Sequence, residues 1–71
     1  MYENMTQLGE NICKYRKEQR YTRKGLAKLI GCSQSHIYAL ENGITKTTSY
    51  SLLKELGQVF GVKIDELMGD L

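Results

Sequence analysis

Apolar residues recur along this chain at intervals of three and four, and small polar clusters and glycines interrupt the rhythm. Leu8, Ile12 and Tyr15 define the buried face of a first helix, from Met5 to about Gln19, with Asn4 or Thr6 as its cap. Leu26, Leu29 and Ile30 mark a second helix, from about Arg23 to Ile30, which Thr22 can cap at its free amide donors. Ile37 and Leu40 mark a third, from about Gln34 to Glu41, capped by Ser33. A fourth, from about Tyr50 to Phe60, follows Thr48 or Ser49 and carries Leu53, Leu56 and Phe60, with Leu52 and Val59 beside them. A last short helix, from about Lys63 to Met68, offers Ile64, Leu67 and Met68 to a core. No segment sustains the alternation of a strand, so the pattern predicts an all-α domain with short connections.

The breaks in the pattern are as informative as the stripes. Gly31 supplies a left-handed residue to end the second helix. Asn42-Gly43 stops the third, since both residue types tolerate positive φ. Gly61 ends the fourth. Gly57 lies inside a helix, which predicts a neighbouring backbone passing close by. The second and third helices meet through Gly31-Cys32-Ser33. Two helices joined by a short turn with a glycine form a helix-turn-helix, and the second helix of such a unit can enter the major groove of DNA. Here its outer face is small, polar and nearly uncharged: Gln34, Ser35, Tyr38 and Ala39.

Composition narrows this reading. The 71 residues suit one domain, 1–71, with its core at about 6–68, and a 41% hydrophobic content is enough to fill that core. Cys13 and Cys32 are too few for a disulfide scaffold. The first seven residues are polar, unlike a signal peptide. No apolar run approaches the roughly 18 residues that would span a bilayer. A reduced, cytoplasmic, soluble protein with no membrane contact is therefore expected.

The net charge is only +2, but residues 1–31 hold seven Lys and Arg against three acids, and residues 32–71 hold three against five. A basic half suits a polyanionic partner. A solvated basic face would account for the same charges.

Reactive chemistry finds little support. Cys13, Cys32 and His36 do not complete the ligand set that zinc takes, so no metal or cofactor is expected. The chain has one histidine, no evident carboxylate pair for acid–base work and no phosphate-cradling glycine loop. Neither an enzyme nor a small-molecule substrate is indicated.

Leu26-Ala27, Gly31, Ser33, Ile37, Leu40-Glu41 and Gly43, then a leucine-rich helix and the closing Gly61-Val62 and Ile64-Asp65-Glu66-Leu67, resemble the Cro/phage-repressor (XRE-like) helix-turn-helix family. The resemblance runs from about Leu8 to Met68. It implies a five-helix, lambda-repressor-like domain that binds double-stranded DNA, usually as a homodimer on a near-palindromic operator. Position by position, it assigns base reading to Gln34 and Ser35, and to Tyr38 and Ala39 one turn on. Glutamine can pair bidentately with adenine, worth ~1–3 kcal/mol of discrimination. The resemblance gives Arg23, Ser33, Asn42, Thr45 and Lys46 the role of holding the DNA backbone, which sets register rather than sequence. It makes Arg16 and Glu41 a charged pair tying the first helix to the end of the third.

Some positions depart from the family pattern. Arg23 stands where glutamine is usual, and it can still meet phosphate. Gly25 replaces an acidic residue, which leaves the capping box from Thr22 incomplete. Thr48 lies near the place of a frequent proline. His36 is a further candidate for DNA contact near the start of the third helix. The reading that follows is a bacterial or phage-type transcriptional regulator, with repression by occlusion as the simpler default. The alternative is a protein-interaction module on the same fold, antitoxin-like or an antagonist partner. It draws support from the modest net charge and from a third helix without Lys or Arg.

Overall fold

Hydroxyl caps set four of the helix starts. In the computed structural model, which describes residues 6–69, Thr6, Thr22, Ser33 and Ser49 each accept the backbone N–H three residues on, at 2.9, 2.9, 3.1 and 3.2 Å. Each cap takes up a donor that a first helical turn leaves unpaired. The helices are α1 (Gln7–Glu18), α2 (Arg23–Ile30), α3 (Gln34–Glu41), α4 (Tyr50–Phe60) and α5 (Ile64–Met68), with no strand among the described residues. Thr6, not Asn4, caps α1, so that helix starts two residues later than its apolar pattern predicts. Asn4 and Met5 themselves lie outside the described residues. Lys63 is the cap of α5 rather than its first residue. Its own N–H donates to the Glu66 carboxylate at 3.0 Å.

The helices end by different means. Gly31 closes α2 at φ +78°. After α3 only Gly43 takes positive φ, at +72°, whereas Asn42 sits at φ −101°. Asn42 caps with its side chain instead: its Nδ2 donates to the Tyr38 carbonyl at 2.9 Å. Past the end of α1, Arg20 is left-handed without being glycine, at φ +64°.

One core joins the five helices. Leu8 and Ile12 of α1 meet Leu26, Ala27 and Ile30 of α2, Ile37 and Leu40 of α3, Leu53, Leu56 and Phe60 of α4, and Leu67 of α5. Tyr15 packs at its edge, 5.6 Å from Phe60 between ring centroids. One predicted core residue is misplaced, because Leu29 is 56% exposed. Leu26 and Ile30 share a face of α2, and positions 27 and 29 flank it on opposite sides. α2 packs against α3 and α4, and of its two flanks it is the one with Ala27 that is buried.

Two missing side chains let the helices close up. A Cβ at Gly57 would come within 2.8 Å of the Val62 carbonyl oxygen, the close approach that a mid-helix glycine predicts. A Cβ at Gly9 would collide with the Leu40 carbonyl, so α1 lies directly on the last turn of α3. Asn11 secures the other side of α1 by donating to the carbonyls of Glu66 and Leu67, at 3.2 and 2.8 Å. Among the described residues no helix is long and apolar enough to cross a membrane.

Candidate nucleic-acid interface

α3 divides its residues between two duties. Ile37, Leu40 and Glu41 are buried, while Gln34, Ser35 and Tyr38 are exposed. The Ser33 cap holds the first turn, so the Gln34 and Ser35 side chains leave the helix where its amide dipoles are positive. Tyr38 follows one turn on and remains 49% exposed. Gln34, Ser35 and Tyr38 line one shallow depression together with Arg23 from the start of α2. Ala39 is only half-buried, and its carbonyl accepts the N–H groups of Ile44 and Thr45 at 2.9 and 3.2 Å. That fastens the loop after α3 to the helix. Thr45 is half-buried there and Lys46 is exposed.

Beneath this face lies a carboxylate shared by two arginines. Glu41 is 2% exposed. Arg16 Nε donates to its Oε2 at 2.6 Å and Arg16 Nη2 to its Oε1 at 3.3 Å. Arg16 Nη1 reaches the Tyr21 carbonyl at 2.9 Å, so each nitrogen of this buried guanidinium has a partner. Hydrogen bonding to Glu41 holds the Arg16 pKa above its ordinary value, against the opposing pull of burial. Arg23 Nε donates to Glu41 Oε1 at 2.8 Å. The Arg23 guanidinium also lies over the Tyr38 ring, 5.2 Å from its centroid. Arg16 and Glu41 thus meet as the resemblance implies. The attachment of Arg23 to both Glu41 and Tyr38 has no local signal in the sequence, because 18 residues separate Arg23 from Glu41.

Ser33 and Asn42, two of the candidate backbone contacts, spend part of their polar capacity on capping α3. His36 Nε2 sits 2.9 Å from Thr48 Oγ1, which ties the first turn of α3 to the approach to α4. Ser49, not Thr48, caps α4, and the Thr48 hydroxyl serves this link instead, across 12 residues that leave no local signal for it. In the turn, burial pushes the Cys32 thiol pKa up, and Cys32 Sγ donates to the Ser33 carbonyl at 3.5 Å.

A capped helix pair around a glycine turn, locked by α1 and backed by α4 and α5, defines a helix-turn-helix domain. The family pattern named helix-turn-helix matches residues 12–67, and the chain belongs to that family, in its Cro/phage-repressor branch. The family is non-enzymatic. The chain is similar to the HTH-type transcriptional regulator SinR of Bacillus licheniformis and of Bacillus subtilis (strain 168). It is 27% identical to each over 63 residues, which is 89% of this chain and 57% of either relative. It therefore spans little more than half the length of those curated relatives. The crystal structure of SinR, the master regulator for biofilm formation, in complex with DNA matches with a TM-score of 0.79 and 28% identity, over 84% of this chain and 95% of that one. A SinR protein/SinI protein complex matches with a TM-score of 0.80 and 28% identity, over 86% of this chain and 59% of that one.

Proposed function

We propose that this chain binds double-stranded DNA through α3 and regulates transcription, acting inside the cell as a homodimer on a near-palindromic site. The observation that carries this reading is the outer face of α3. Gln34, Ser35 and Tyr38 stand exposed in one depression with Arg23, on a fold similar to SinR in complex with DNA. Gln34 and Ser35 read base edges, and Tyr38 and Ala39 contribute one turn on. Arg23, Ser33, Asn42, Thr45 and Lys46 meet the sugar–phosphate backbone. Repression by occlusion of a promoter follows most simply from such a module.

The test is duplex binding at two salt concentrations, with the parent chain and Gln34→Ala. The parent should lose affinity steeply as salt rises, because counterions return to the phosphates. Gln34→Ala should narrow the gap between preferred and mixed sequences by ~1–3 kcal/mol while leaving binding to mixed sequence nearly intact. Absence of duplex binding at low salt would overturn the reading. Equal loss on every sequence would remove Gln34 from base recognition.

The similarity to SinR in the SinR/SinI complex favours a second reading, in which the same fold serves a protein partner. A chain that binds no duplex yet forms a stoichiometric complex with a protein partner would establish it.

A further inference from the structure

The reading helix brings no cation of its own. α3 runs QSHIYALE, and its one charged residue is the acid Glu41. Duplex affinity comes largely from neutralised phosphates, so the cations must lie elsewhere. Arg16 is buried and consumed by Glu41 and the Tyr21 carbonyl. Arg23 gives its Nε to Glu41.

A second depression opens beside the first, between α1 and the end of α3. Glu10, Cys13, Lys14, Lys17, Arg23, Glu41 and Asn42 line it. Arg23 belongs to both depressions. Lys14 and Lys17 are exposed, three residues apart and hence on one face of α1. Neither is paired with a carboxylate among the described residues. The Lys14 amine rests 5.5 Å from the centroid of the Tyr15 ring, which positions it without neutralising it. Three cations, Lys14, Lys17 and Arg23, line it against Glu10 and Glu41, so the depression is net positive.

Resting on the DNA-binding reading above, we infer that this depression is a second backbone site, in which Lys14 and Lys17 engage phosphates of the strand that leaves α3 past Arg23. The ligand class is the sugar–phosphate backbone of a duplex, without regard to base. The footprint thus extends from α3 across the start of α2 onto the middle of α1, and the lysines supply attraction that the reading helix lacks.

The experiment compares Lys14→Gln/Lys17→Gln with Lys54→Gln/Lys63→Gln. The second pair removes equal charge from a depression between α4 and α5 that shares no residue with the other two. Binding is measured on preferred and mixed duplexes over a salt series. The first variant should bind both duplexes more weakly and flatten the slope of log affinity against log salt by about two units per bound copy. The preference between the duplexes should not change, and the control variant should keep the parent slope. An unchanged slope in the first variant overturns the inference. So does equal flattening by both variants, which would be an effect of net charge alone. A changed preference between duplexes would also overturn it, since the lysines would then be reading bases. If the parent chain binds neither duplex, it is the DNA-binding reading that falls. Circular dichroism of both variants checks that loss of binding is not loss of fold.

Discussion

Arg23 leans on the Tyr38 ring while sharing the Glu41 carboxylate with Arg16, so a backbone-contacting candidate and a base-reading candidate are held as one unit. The two arginines differ in kind. Arg16, with its side chain 10% exposed, completes a buried pair whose disruption typically costs about 3–5 kcal/mol. Arg23 has a side chain 36% exposed and leaves Arg16 in place when it is removed. Arg23→Gln should therefore change stability by no more than about 1 kcal/mol, yet it should release the tyrosine ring. A double-mutant cycle on duplex affinity with Arg23→Gln and Tyr38→Ala should show coupling of about 0.5–1 kcal/mol, the size of an exposed cation–π contact. Strict additivity would mean that the two residues meet DNA independently.

Helix boundaries were legible because they depend on local chemistry. The hydroxyl caps and the glycine stops lie within a turn of the bonds they make, and Thr22, Ser33, Gly31 and Gly61 act where the pattern puts them. What could not be read is what depends on the neighbouring helix. Leu29 and Ala27 are equivalent flanks until the neighbouring helices bury one of them. Asn11 looks like an ordinary surface amide until α5 presents two carbonyls to it. Arg23 looks like an open surface cation until the buried end of α3 arrives beside it. The outward face of α3 was legible, because Ile37 and Leu40 fix which side of the helix turns inward. Gly9 gives the element-scale test. Gly9→Ala improves helix propensity by about 0.5–1 kcal/mol but drives a methyl group into the Leu40 carbonyl. Overpacking typically costs ~1–3 kcal/mol, so a lower denaturant midpoint is expected. A midpoint at or above that of the parent would show that α1 and α3 can separate freely.

At the scale of the whole molecule, the principal extents are 28 × 26 × 23 Å. One copy is thus shorter than a single turn of DNA, about 34 Å, which on the DNA-binding reading proposed above would confine it to one half-site. Two copies related by a two-fold axis would place their α3 helices about one turn apart on the same side of the duplex. Selection of bound duplexes from random sequence should then return inverted half-sites whose centres lie about 10–10.5 base pairs apart. A single asymmetric site would show that one copy acts alone.

The two faces of α3 also bear on how such a protein acquires a new target. Gln34 and Ser35 take no part in the core, so on the DNA-binding reading proposed above, exchanging them would redirect the molecule without touching what folds it. Tyr38 is less free. Its ring is braced from α2, so a lineage or a designer replacing it must also reconsider Arg23, and with Arg23 the hold on Glu41. On that reading the inheritable unit of specificity would be larger than the recognition helix: it would include one residue from the helix before it.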